Sequence, residues 1–280
     1  MKNFQNKEYV VFKFEEDDEI NTAQLDVVNG TLVIENYSDE YSHEMNYHKV
    51  SVEGLSQLKT LKTLILSYFS LNKFIAENPI PKSVVNLHLI DCRFKDLTCI
   101  HNLTQLESFT LTYPDGIGNY QFHFQQPDYA PLQSLKALGL SGVLLRKIPS
   151  FEGLEHLERL YLIGNMIPKI QNLEKFYNLK ELHLQNNRIT KIQGLGNLKN
   201  LQRLYLTDNK IKVIENLDLL TEIEYLDLNA NIIFNEMKYD MPLNEAKKYF
   251  GHMKNLMILN DKLYPDSPFY TFQRNAPTYL

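Results

Sequence analysis

Eight side chains in the C-terminal half of this chain combine charge, aromatic surface and a fixed spacing. Arg159 and Tyr161, Glu181 and His183, Arg203 and Tyr205, and Tyr225 and Asp227 form four pairs, each pair 22 residues beyond the last. Their chemistry is that of recognition. Tyrosine and arginine are enriched among the residues that carry most of the binding energy at protein interfaces, because each joins a large flat surface to a polar end. Catalysis asks for other patterns. The eight histidines are scattered with no HExxH pair, and there is no GxxxxGK[ST], GxSxG or strand-linked GxGxxG stretch. Asp115-Gly116-Ile117-Gly118-Asn119 holds two glycines but is most simply a turn. No catalytic residue, metal ligand or cofactor is assigned.

The four pairs need a scaffold that repeats with them, and apolar columns provide it. Leu157, Leu179, Leu201 and Ile223 share one column. Leu160, Leu182, Leu204 and Leu226 fill the next, followed by Leu162, Leu184, Leu206 and Leu228. In each Leu-x-Leu the apolar side chains alternate with the recognition residues, which predicts a short strand with one buried face. A fixed period of this length makes each block one turn of a stacked coil. The strands then form a parallel sheet. Its second face is polar or mixed, so one side must be open. Asn165, Asn187, Asn209 and Asn231 fall where the chain leaves each strand. A buried carboxamide there can satisfy backbone groups of neighbouring coils, since it both donates and accepts. The Ile167, Ile189, Ile211 and Ile233 column opens a stretch too short for a long helix.

The pattern weakens upstream but persists, giving eight repeats over about residues 55–235. Cys92, Pro114 and Val143 stand in the asparagine column there, and none is expected to replace the carboxamide. An insertion at about 115–131 contains the alternating stretch Tyr120-Gln121-Phe122-His123-Phe124, which suggests a strand packed back on the repeats or a lip for a partner. A solenoid exposes its core at both ends unless capped. Residues 1–54 have strand-like stretches and form the expected N-terminal cap, with a partial repeat at Leu32-Val33-Ile34. Residues 236–280 form the expected C-terminal cap, with a helix over Met241 to Met253 and an extended tail.

These columns resemble leucine-rich repeats, and the 22-residue period with isoleucine at both late positions resembles the SDS22-like class. The resemblance covers roughly two-thirds of the chain. It implies an α/β fold: a curved right-handed coil with a parallel β-sheet on its concave face and extended or 3₁₀ structure on its convex side, capped at both ends. It also implies a non-catalytic protein–protein interaction scaffold that holds a partner on that face. More narrowly, it implies a regulatory subunit of a Ser/Thr protein phosphatase. That family uses acidic and aromatic concave residues, and Glu181, Tyr205, Tyr225 and Asp227 are of that kind.

The charge balance narrows the partners. The net charge is −5, yet residues 1–50 hold 11 acids against 4 lysines, a net of −7, which leaves about +2 for the rest. The run Glu15, Glu16, Asp17, Asp18, Glu19 is expected on a solvated cap surface. No basic cluster stands out along the chain, so neither nucleic acid nor an anionic membrane is an expected partner. Cys92 and Cys99 match neither a disulfide framework nor a zinc spacing. With no apolar leader at the N-terminus and no run of 18 apolar residues, a monomer in the cytoplasm is expected, with the nucleus as an alternative.

Overall fold

The computed structural model describes residues 8–16, 19–35, 51–94, 98–114, 128–233, 250–253, 255–256, 258–259 and 262–263. The side chains of the 15–19 acidic run, the Tyr120–Phe124 stretch, most of the Met241–Met253 segment and the 264–280 tail lie outside the described residues. The chain forms two compact units: Met1–Val143 with Glu152–Leu154, and Leu144–Phe151 with Glu155–Leu280.

In the first unit β1 (Tyr9–Glu16) and β2 (Glu19–Asp26) form an antiparallel hairpin. β3 (Thr31–Glu35) follows, and β4 (Ser51–Glu53) returns to pair antiparallel with β1. β5 (Thr63–Ser67), β6 (Asn86–Ile90), β7 (Ser108–Thr112) and β8 (Ala137–Ser141) then stack in parallel on β3. Leu32, Leu64, Leu87, Phe109 and Leu138 face one another strand by strand, as do Ile34, Leu66, Leu89, Leu111 and Leu140. All ten are at most 1% exposed. Burying a side chain of this size is worth about 1.5–3 kcal/mol, so these two columns are the main force holding the stack together.

Two details of this unit differ from what its sequence columns predict. The stretch after β5 is an α-helix, α1 (Leu71–Glu77), rather than extended or 3₁₀ structure. Leu71 and Phe74, three apart, bury one face of it, and the Phe74 ring lies 4.6 Å from that of Phe69. The repeat here spans 23 residues from Leu64 to its partner Leu87, one more than in the second unit. Asn78 closes the helix, donating to Phe74 O at 3.0 Å and accepting from Val52 N at 3.0 Å. The second departure is Cys92. Its thiol donates to Leu66 O at 3.3 Å, so it performs weakly the bond that an asparagine makes elsewhere. Burial pushes this thiol up to about 12, which leaves it an inert packing group.

In the second unit β9 (Arg159–Tyr161), β10 (Glu181–His183), β11 (Arg203–Tyr205) and β12 (Tyr225–Asp227) pair in parallel. β13 (Ile258–Leu259) extends the stack in parallel beside β12, and β14 (Lys262–Leu263) folds back antiparallel on β13. Phe250, Met253 and Leu256 are buried at this end. The asparagine column binds the coils to one another. Asn187 accepts from Ile167 N at 3.0 Å and donates to Leu162 O of the preceding coil at 2.8 Å and to its own Leu184 O at 3.1 Å. Asn209 and Asn231 repeat the set, and Asn165 accepts from Leu145 N at 3.0 Å. The four are 1–6% exposed, so each bond replaces water that cannot reach these groups. A second set lies farther along the coil. Asn172 and Asn216, both at positive φ, donate to Ile148 O and Ile192 O at 2.7 Å.

Candidate protein-binding face

The short strands of the second unit set the spacing of the site. Parallel pairing places Tyr161, His183 and Tyr205 side by side on the outer face of β9, β10 and β11. Strand neighbours are about 4.8 Å apart, and flat rings on successive strands can stack at that separation. Tyr161 and His183 have ring centroids 4.6 Å apart, and His183 and Tyr205 are 4.1 Å apart and nearly parallel at 14°. The fourth ring comes from another column. Register puts Tyr225 opposite Arg203 and Asp227 opposite Tyr205. The Tyr225 ring nonetheless reaches across diagonally to stack on Tyr205 at 4.6 Å. A continuous ridge of four rings results.

Asp227 holds the register position opposite Tyr205, toward which Tyr225 reaches. It is only 7% exposed, and its carboxylate accepts from Thr207 Oγ1 and, at 3.0 Å, from Asn229 N. Its geometry is that of a group ordering the end of the strand. Beside the rings, Glu181 accepts from the Arg203 guanidinium and lies 3.7 Å from His183 Nε2. Arg159 is exposed at the near end of the same column.

His183 is the electrostatic centre of the face. Gln185 Nε2 sits 3.3 Å from its Nδ1, and Glu181 lies on the Nε2 side of the ring. Burial between two rings disfavours the charged imidazole and lowers its pKa to about 4, although the nearby Glu181 pulls the other way. His183 is therefore neutral near pH 7. Tyr161 is shifted upward by burial and by the Glu181 charge, so its hydroxyl stays protonated. The face thus offers phenol hydroxyls, aromatic edges and guanidinium groups, which suits recognition. Among the described residues, no group of three His, Cys, Asp or Glu side chains could hold a metal ion. No helix among them is long and apolar enough to cross a membrane.

All eight candidate residues lie on this one unit, six around the ring ridge and two, Arg159 and Asp227, at its margins. Gln185 and Thr207, which orient His183 and Asp227, were not singled out from the sequence, although both stand in the next outward column. Also overlooked were the lysines and arginines that follow the asparagine column. Counting charge down the columns instead of along the chain brings them out.

A family model described as leucine-rich repeats, in two copies, matches residues 177–218, which include β10 and β11. No curated protein sequence matches the chain. Among solved structures, internalin C2 from Listeria monocytogenes is similar at 28% identity and a TM-score of 0.50, covering 64% of this chain and 71% of its own. A leucine-rich-repeat protein from Leptospira interrogans is similar at 23% identity and a TM-score of 0.48, covering 74% of this chain and 68% of its own. An internalin, also from Listeria monocytogenes, is similar at 17% identity and a TM-score of 0.44, covering 82% and 79%. The fold is that of a leucine-rich-repeat protein, a class that typically serves as a non-catalytic scaffold for protein interactions.

Proposed function

We propose that this chain is a monomeric, non-catalytic interaction scaffold of the cytoplasm or nucleus that holds a protein partner on the outer sheet face of its second unit. The observation that carries this reading is the ridge of Tyr161, His183, Tyr205 and Tyr225. Stacked rings are held in place before a partner arrives, so little side-chain entropy is lost on binding. Arg159 and Arg203 frame the ridge with charge that can fix orientation.

A narrower reading makes the partner a Ser/Thr protein phosphatase, with this chain as an SDS22-like regulatory subunit. It rests on the 22-residue period, on the paired late isoleucines, and on Glu181, Tyr205, Tyr225 and Asp227 sharing one face. Affinity capture from native cells, with wild type beside a Tyr161→Ala, Arg203→Ala, Tyr205→Ala variant, tests both readings. The scaffold reading expects proteins held by wild type and lost by the variant. Identical captured sets would reject it. A set lost by the variant that lacks any phosphatase would reject only the narrower reading.

A further inference from the structure

A second surface of the same unit carries charge of one sign. Where each coil leaves its asparagine and runs to the next isoleucine, residues 144–148, 166–170, 188–192 and 210–214 hold Arg146, Lys147, Lys169, Arg188, Lys191, Lys210 and Lys212 and no acid. The whole chain has 34 acids against 29 lysines and arginines, so seven bases with no acid is a segregated arrangement. All seven are exposed.

The backbone places them in rows. Met166 N donates to Leu145 O at 2.9 Å, Arg188 N to Ile167 O at 3.0 Å, and Lys210 N to Ile189 O at 2.8 Å. Successive coils are thus hydrogen-bonded here, with Arg188 beside Lys210 in one row. Lys147, Lys169 and Lys191 form a second row three residues on. Like charges on adjacent coils repel. Asp208 and Glu215 mark the limits of the strip.

We infer that this strip docks an acidic polypeptide segment, independently of the ring ridge. Charge complementarity selects an anionic partner. The spacing selects its form. Coils recur about every 4.8 Å. Carboxylates at every third or fourth residue of a helix rise by about 4.5–6 Å, close to that repeat, whereas same-face carboxylates on an extended strand are about 6.8 Å apart. Nucleic acid fits less well. Single strands are gripped by aromatic stacking platforms, and the strip has no aromatic residue. Duplex grooves are read by a helix or ribbon that enters them, and the strip's four segments carry neither a described helix nor a strand.

The test uses the full chain and a fluorescein-labelled helical peptide of repeated Glu-Ala-Ala-Ala, followed by anisotropy at about 0.15 M salt. Saturable binding is expected. Lys169→Glu with Lys191→Glu should weaken it at least ten-fold, Lys169→Gln with Lys191→Gln by less, and Tyr161→Ala with Tyr205→Ala should leave it unchanged. Circular dichroism melts should show that the lysine variants fold as wild type does. No binding by wild type, no loss in the charge-reversed variant, or tighter binding of a single-stranded DNA of equal charge would each overturn the inference. Loss of peptide binding in the tyrosine variant would also overturn it, because the two surfaces would then be one.

Discussion

Asn187 illustrates how one side chain holds two coils. Replacing it with alanine leaves Ile167 N without its acceptor and leaves Leu162 O with Asn165 alone of its two amide donors, in a site closed to water. Asn187→Ala should lower the unfolding free energy by about 1–3 kcal/mol, measured by chemical denaturation; no loss would mean that water enters the column. His183 gives a pH signature. Its folded pKa is depressed below the 6.5 of a free histidine, so between about 6.5 and about 4 the unfolded chain binds more protons. Its contribution to stability is complete above 6.5 and is lost as pH falls through that window. Denaturation of wild type at pH 7.5 and 4.5 should therefore show a larger loss than the same pair of measurements on His183→Gln. Equal losses would contradict the burial of a neutral imidazole.

The apolar columns were legible in the sequence because four blocks align with no gap, and a spacing kept that strictly has one physical cause. Leu206, fully buried in its column, should cost about 2–5 kcal/mol when cut to alanine; a denaturation shift below about 0.5 kcal/mol, well under that range, would mean the coil is out of register. Other features of the elements were not legible. α1 packs through Phe69 meeting Phe74, a contact made only in space. The Cys92 bond to Leu66 O depends on how close a neighbouring carbonyl lies, which residue type does not reveal. On the candidate face, alternation placed Tyr161, His183 and Tyr205 together. It could not show the diagonal reach of Tyr225, or Asp227 turned to the Thr207 hydroxyl and Asn229 amide. Those follow from rotamers that only the folded neighbours select.

The second unit carries two kinds of surface as a whole: a sheet face with a ring ridge, and a strip of basic side chains after the asparagine column. The proposed scaffold role requires the first to be a protein-binding face. Arg159 is exposed, so Arg159→Glu should weaken the partner without altering the melt, a change read by titration of the purified complex. The most direct measurement is the affinity of the principal captured protein for purified wild type and for the Tyr161→Ala, Arg203→Ala, Tyr205→Ala variant, with circular dichroism melts of both. Residues that anchor an interface each cost about 2 kcal/mol or more when truncated, so the account predicts at least a hundred-fold loss of affinity in a variant that still melts cooperatively. Undiminished affinity in that folded variant would contradict it.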